Sequence, residues 1–116
     1  MNKDFEILKV LSDETRFKII NLLLRYDLCV GGIAKEVGIS KSAVSQHLQI
    51  LRKAELVTGE KRGYYTHYTV NRNLLAKLGE KLIELSSVKR YAECSSFKEE
   101  QCNDKTDGKS KKNKSI

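Results

Sequence analysis

Three cysteines are the residues of this chain best suited to chemistry: Cys29, Cys94 and Cys102. Thiolates bind soft ions such as As(III), Sb(III), cadmium, lead or copper(I) in preference to calcium or magnesium. Three thiolates without a further evident ligand suit a three-coordinate pyramidal ion such as As(III), whereas structural zinc usually takes four ligands. Cys29 begins a predicted helix, where the positive end of the helix dipole favours a thiolate. The cysteines therefore predict a metalloid or soft-metal site.

The spacing of the last two cysteines sets a condition on that site. If residues 94–102 formed one continuous helix, Cys94 and Cys102 would lie about 12 Å apart along its axis, too far for one ion to join them. The chain must then bend, for example at Ser95-Ser96, or the two thiols serve different sites. A disulfide between two of the three cysteines is the alternative. It would make the protein a redox or reactive-sulfur sensor, and it requires Cα atoms within about 7 Å. In a third interpretation the cysteines are incidental, and Cys29 is a small buried hydrophobe.

Residues 33–54, IAKEVGISKSAVSQHLQILRKA, form the element that such a site would have to influence. The spacing predicts a short helix, a turn around Gly38 and a second helix over 41–54 with Ser40 as its N-cap. The apolar positions of the second helix face inward, and four polar residues share its opposite face: Ser42, Ser45, Gln46 and Gln49. Gln bridges N6 and N7 of adenine and Ser contacts either base type, so this face suits the major groove of double-stranded DNA.

A basic hairpin is predicted directly after this helix-turn-helix. Residues 56–60 and 64–70 have strand character, and Lys61-Arg62-Gly63 forms the turn between them. The two cations of this turn would hold a phosphate or enter the minor groove, and Lys41 would contact a phosphate at the start of the second helix. A polar helix face is often merely solvated, but here the turn and the basic hairpin follow in the order that favours DNA binding. His47, beside an inward leucine, is predicted to be a packed structural residue rather than a base reader or a metal ligand.

The remaining segments complete a winged helix, in which the hairpin is the wing. Further helices are predicted over residues 3–11, 13–25, 30–37 and 71–92. In the second of these, Phe17, Ile20, Leu23 and Leu24 are expected to face inward. The predicted fold class is therefore mainly α with a small β-hairpin, in the order α-α-α-α-β-β-α.

The last helix carries an apolar stripe wider than one small domain needs. This predicts a homodimer joined through the first and last helices. The alternative is a monomer in which the last helix packs on its own core. A twofold dimer would place two recognition helices about one DNA turn apart on an inverted-repeat operator.

Length and composition limit the function classes. The 116 residues suit one domain, residues 1–92, and a polar cysteine-containing tail over 93–116 whose end is expected to be disordered. The net charge of +7 favours nucleic acid or another anionic partner. No apolar run approaches the roughly 20 residues that span a bilayer, and the start has no signal-peptide pattern. We therefore expect a cytoplasmic protein without a membrane partner, with reduced cysteines. No Cys-His-acid arrangement and no phosphate loop is visible, which argues against an enzyme.

Two runs, LSDETRFKIINLLL and DLCVGGIAKEVGISKSAVSQHLQILRKAELVTGEKRGYYTHYTV, resemble the ArsR/SmtB family of winged-helix metal-sensing repressors. The resemblance covers residues 8 to about 70, and its most specific parts are SQHLQILRKAELV and the GYYTHY run of the hairpin. It implies a homodimer that represses transcription until an inducer binds and releases it from its DNA operator. DNA binding by such a repressor would require no cofactor.

The inducer sites of that family are where this chain departs from it. Members that sense arsenic, cadmium or lead carry Glu-Leu-Cys-Val-Cys at the start of the third helix, and the matching residues here are Asp27-Leu28-Cys29-Val30-Gly31. The first cysteine is kept and the second is glycine. Zinc-sensing members use Asp and His on the last helix, which has no histidine here. Cys94 and Cys102 lie near the place where some relatives carry inducer-binding cysteines, and would replace the missing thiol. A DNA-binding module without any inducer is the remaining interpretation.

Overall fold

The computed structural model describes residues 2–91 of the 116. Cys94, Cys102 and the tail end that is predicted to be disordered lie outside the described residues. The elements follow the predicted order: α1 (Asn2–Leu11), α2 (Glu14–Arg25), α3 (Val30–Val37), α4 (Lys41–Lys53), β1 (Val57–Arg62), β2 (Tyr65–Val70) and α5 (Arg72–Ser86). This order, with one antiparallel hairpin, confirms the predicted fold class. Within residues 2–91, no helix is both long and apolar enough to span a bilayer.

The hydrophobic core combines inward residues of the first four helices with the start of β1. Its largest fully buried side chains are Ile7, Ile19, Ile33, Val44, Leu48, Leu51, Leu56 and Val57. Burying each of these stabilises the fold by about 1.5–3 kcal/mol before conformational entropy is counted. Tyr68 and Val70 of β2 pack against this core. Because Val44, Leu48 and Leu51 come from α4, the core fixes the helix that carries the predicted DNA-binding face.

Helix α2 buries Ile20 and Leu23 as predicted, but the prediction for Phe17 is wrong. Phe17 is expected to face inward, but its side chain is 53% exposed, and Ile19 is fully buried instead. The inward position one turn before Ile20 is taken by Arg16. Its guanidinium finds an acceptor there, since Nε donates to the carbonyl oxygen of Val10 at 2.8 Å. The aromatic ring is therefore left on the outer side of the helix.

Strand β1 continues two residues further than predicted, β2 begins one residue later, and the turn is tighter. The antiparallel ladder continues to the pair Arg62↔Tyr65, which leaves a two-residue turn of Gly63 and Tyr64. Gly63 has φ +66°, the left-handed value expected at the first loop position of a type II′ turn. The prediction that Lys61 and Arg62 lie in the turn is therefore wrong, because both residues pair within the ladder.

Helix α5 ends earlier than the predicted residue 92. The chain divides into two units within this helix, between Ile83 and Glu84. In the second unit, the amides of Ser87 and Val88 bond to carbonyls three residues back rather than four. Such bonds tighten and end a helix. The predicted domain boundary at residue 92 stays a prediction.

Candidate DNA-binding surface and the loop that carries Cys29

One glycine and one serine build the turn between α3 and α4. Gly38 ends α3 with φ +83°, a left-handed conformation that residues with a Cβ rarely adopt. Ser40 then caps α4, because its Oγ accepts a hydrogen bond from the backbone N–H of Ala43 at 3.0 Å. These two residues confirm the predicted helix-turn-helix and determine where α4 begins.

The outer side of α4 carries the polar residues predicted to read DNA bases. We call this set the recognition face: Ser42, Ser45, Gln46 and Gln49. All four are exposed, whereas Val44 and Leu48 between them are buried. Within residues 2–91, none of the four side chains has a hydrogen-bond or ionic partner in the protein. Their donors and acceptors are available to a ligand, and contact with bases stays a prediction.

A group of polar side chains joins the inner side of α4 to α2. Nη1 of Arg16 lies 3.3 Å from Nδ1 of His47, and the carboxylate of Asp13 lies 3.9 Å from the same nitrogen. Because a guanidinium has donors only, Nδ1 of His47 accepts this hydrogen bond. The His47 side chain is 23% exposed, as expected of the predicted packed histidine. Arg16 therefore connects the recognition helix to the start of α2.

Arg16 is a supporting residue whose role was not singled out from the sequence, and Asp13 is its partner at the start of α2. Asp13 is the N-cap of α2, and its Oδ2 accepts a hydrogen bond from the amide of Arg16 at 3.0 Å. That backbone bond, more than the neighbouring charges, lowers the pKa of the Asp13 carboxyl below its ordinary value of 3.8. The sequence signal for the role of Arg16 is its inward position in the helix, three residues after a carboxylate N-cap.

The end of β1 carries two cations, Lys61 and Arg62, which differ in their ionic contacts. Lys61 is exposed and has no ion-pair partner in the described part of the chain. The guanidinium of Arg62 pairs with the carboxylates of Asp27 and of Glu60, the latter at 3.2 Å. Asp27 also accepts a hydrogen bond from Nδ1 of His67 at 3.0 Å. The bonds from Arg62 and then from His67 lower the pKa of Asp27 below its ordinary value of 3.8, and the same pairing raises the pKa of Arg62.

Cys29 lies at the N-cap of α3, at the predicted helix start. Its loop runs beside β2: Cys29 forms an isolated antiparallel bridge with His67, and the amide of Tyr68 donates to the carbonyl of Leu28 at 3.4 Å. Among residues 2–91, no three His, Cys, Asp or Glu side chains are grouped so as to hold a metal ion. The other two cysteines lie outside the described residues, so a site shared by all three stays a prediction.

Gly31, which stands where the family motif has its second cysteine, borders both the thiol and α4. A Cβ at this position would lie 4.0 Å from Sγ of Cys29 and 3.6 Å from Cε of Lys41, both ordinary van der Waals distances. The Lys41 ammonium lies 4.0 Å from the same point, so this side chain extends from α4 back over α3. The thiol predicted to sense and a cation predicted to bind phosphate are thus neighbours across one glycine.

Known proteins share this architecture and part of the sequence. Residues 13–58 match the family model described as bacterial regulatory protein, arsR family. The chain is 39% identical over 69 residues to the transcriptional repressor SdpR of Bacillus subtilis (strain 168), which covers 60% of this chain and 77% of that protein. It is 31% identical over 96 residues to the arsenical resistance operon repressor of Staphylococcus xylosus, which covers 83% of this chain and 92% of that one.

A solved structure agrees with the order of helices and strands. The ArsR-like transcriptional regulator from Rhodococcus sp. RHA1 matches with a TM-score of 0.68 and 28% identity, over 74% of this chain and 81% of that chain. The family match confirms the interpretation as a DNA-binding regulator rather than an enzyme. The helix-turn-helix, the wing and these relatives together show that the chain belongs to the ArsR family of bacterial transcriptional regulators.

Proposed function

We propose that this protein is a transcriptional repressor that binds an inverted-repeat operator as a twofold dimer and leaves it when an inducer binds its thiols. The observation that carries the DNA-binding half is the recognition face, whose polar side chains are exposed on a helix fixed by the core. Ser and Gln are side chains that read base edges in the major groove. Lys41 at the start of α4 and Lys61 on the wing would contact phosphates.

Exposed apolar side chains on two helices support the dimer. Phe5 of α1 is 62% exposed, and Leu82 and Leu85 of α5 are 47% and 65% exposed. Covering such surface with a second copy is favourable by about 25 cal/mol per Å² of apolar area. A twofold axis would set the two recognition faces about one DNA turn apart, so the expected operator is an inverted repeat.

The proposal that an inducer binds the thiols rests on Cys29 and on one relative. The relative from Staphylococcus xylosus, matched over 92% of its length, is an arsenical resistance operon repressor. Cys29 occupies the N-cap of α3 and adjoins Lys41 across Gly31. With Cys94 and Cys102 as the other donors, three thiolates would hold As(III) or Sb(III), and another soft ion would use the same donors.

Titration with arsenite tests this function directly. The operator is first selected from random duplexes with the wild-type protein, and its affinity is followed by fluorescence anisotropy under reducing conditions. Arsenite or antimonite is expected to weaken operator binding. A Cys29→Ser variant is expected to bind the operator like the wild type and to lose the response. If arsenite, antimonite, cadmium and lead all leave operator affinity unchanged, metal sensing by these thiols is wrong.

Matched serine variants separate the alternatives. Loss of the arsenite response in both Cys94→Ser and Cys102→Ser would support a site that uses all three thiols. If an oxidant releases the wild type from DNA, and Cys94→Ser abolishes that release with metal responses intact, the protein is a redox or reactive-sulfur sensor. A variant with all three cysteines replaced by serine that still responds normally in cells would identify a regulator without a thiol inducer.

A further inference from the structure

The loop between α2 and α3 is bonded to both strands of the wing. Asp27 of this loop accepts hydrogen bonds from Arg62 on β1 and from His67 on β2. Arg62 has a second carboxylate partner in Glu60, at 3.2 Å on its own strand. A single loop carboxylate therefore joins the two strands of the wing to the helical part of the protein.

Backbone contacts place the same loop alongside β2. The amide of Tyr68 donates to the carbonyl of Leu28 at 3.4 Å, and Cys29 forms a bridge with His67. The first of these bonds is long, and weak bonds of this kind do not fix the orientation of a small hairpin by themselves. The charged hydrogen bonds made by Asp27 are of the stronger kind.

Strand geometry separates the two cations of β1. Successive side chains of a strand point to opposite faces, so Lys61 points away from the loop that Arg62 contacts. To contact a phosphate, Arg62 would have to leave two carboxylates. Lys61 has no such partner among residues 2–91 and would give up no ion pair.

We propose that Asp27 is a positioning residue for DNA binding, which holds the wing against the α2–α3 loop through Arg62 and His67 and leaves Lys61 as the phosphate ligand of the wing. This inference rests on the proposed DNA-binding function. It reassigns Arg62 from a DNA contact to an internal anchor. Because Asp27 lies two residues before Cys29, the loop that carries the thiol also sets the position of the wing.

Salt dependence of operator binding distinguishes an anchor from a phosphate ligand. The slope of log K against log salt changes by about 0.9 for each phosphate contact, so Lys61→Gln is expected to reduce it by about 0.9 per subunit. Asp27→Asn and Arg62→Gln are expected to keep the wild-type slope. Each should weaken binding by about 3- to 10-fold, as for exposed ion pairs counted in two subunits, and their combination should add nothing further. Asp27→Glu, which keeps the carboxylate, should restore most of the affinity.

Amide exchange at Tyr68 gives a second readout that does not require DNA. This amide is expected to exchange faster in Asp27→Asn and in Arg62→Gln, and at the wild-type rate in Lys61→Gln. An Arg62→Gln variant that lowers the salt slope as much as Lys61→Gln would overturn the assignment, as would unchanged Tyr68 exchange in both loop–wing variants. If the wild type binds no DNA, the proposed function fails, and the exchange measurement alone decides whether Asp27 anchors the wing.

Discussion

The recognition face on α4 and the end of β1 are both polar, exposed and predicted to contact DNA, yet their side chains are engaged differently. The hydroxyls and amides of the recognition face have no partner in the described part of the protein. At the end of β1, Arg62 is paired with Asp27 and Glu60. Exposure shows that a solvent or ligand can reach a group. Whether the group is available depends on the neighbours that the fold brings to it.

The difference follows from what each element needs in order to be stable. Helix α4 satisfies its own backbone and buries Val44, Leu48 and Leu51, so its outer side chains are not required for folding. A hairpin of two strands is marginally stable alone and needs contacts from outside. Asp27 supplies such a contact to the wing, and Arg62 is the wing residue that pairs with it.

Removing both glutamines from the recognition face is expected to have the largest effect on DNA binding. Gln46→Ala combined with Gln49→Ala should weaken operator affinity by about 1,000-fold or more, because each bidentate base contact contributes about 1–3 kcal/mol and a dimer makes each twice. Fluorescence anisotropy measures the loss, and thermal unfolding should be unchanged. Lys18→Ala, at an exposed position of α2, is the control. Wild-type affinity in the double variant would show that the recognition face contributes little to DNA binding and would leave the wing as the main DNA contact.

Arg16→Met tests whether polar contacts as well as apolar ones hold α4. The variant is expected to lower the free energy of unfolding by about 1.5–3 kcal/mol, because the carbonyl of Val10 and Nδ1 of His47 lose a charged donor. Urea unfolding measures this. Arg25→Met removes an exposed arginine from the same helix and should cost about 0.5 kcal/mol or less. Equal losses in the two variants would show that the Arg16 contacts contribute nothing specific.

The glycines of the two turns allow a matched test of the helix-turn-helix and the wing. Gly38 before α4 and Gly63 in the wing both have positive φ, and a Cβ at either would meet no atom within 4 Å. Substitution by Ala therefore introduces backbone strain of about 1–2 kcal/mol without a clash. We expect Gly38→Ala to lower global stability by that amount. Gly63→Ala should lower it less and instead speed amide exchange in the wing, because the hairpin opens locally.

Gly79 in α5 is the control for these substitutions. It has no positive φ, and a Cβ there would meet nothing within 4 Å, so Gly79→Ala should raise stability by about 0.5–1 kcal/mol. Urea unfolding of the three variants measures the differences. If Gly63→Ala costs as much global stability as Gly38→Ala, the wing does not open separately and the two regions are equally coupled to the core.

The smallest expected effect concerns the salt response of two carboxyl groups. The pKa of Asp13 is lowered mainly by a backbone amide, and that of Asp27 mainly by the Arg62 side chain. Both pKa values are below 3.8 in the folded protein, so each group stabilises the fold above that pH and loses this contribution as pH falls through the folded value. At about 1 M salt the pKa of Asp27 should rise towards 3.8 more than that of Asp13, because screening weakens exposed ion pairs. Carboxyl NMR titrations measure both pKa values. Equal changes in the two pKa values would contradict the proposal that Asp27 anchors the wing through an ion pair.

The recognition face was predictable because its signal is local. The spacing of Val44 and Leu48 determines which side of α4 is buried, and the outward residues follow without knowledge of the rest of the fold. The pairing of Arg62 with Asp27 joins residues 35 positions apart, and no periodicity connects them. The length of α5 was overestimated for a related reason. Its helical pattern continues past Ser86, and the point where a helix ends depends on contacts as well as on the pattern.

The space at Gly31 lies between the thiol of Cys29 and the side chain of Lys41 on α4. A Cβ there would lie 4.0 Å from Sγ of Cys29 and meet nothing closer than 3.6 Å among its three nearest atoms, so the first atom of a larger side chain is accommodated. In evolutionary terms, a substitution at this one position would act on the proposed ligand site and on the Lys41 side chain of α4 together. In engineering terms, Gly31 in the first turn of α3 is the position at which the proposed soft-ion response would be retuned by one substitution.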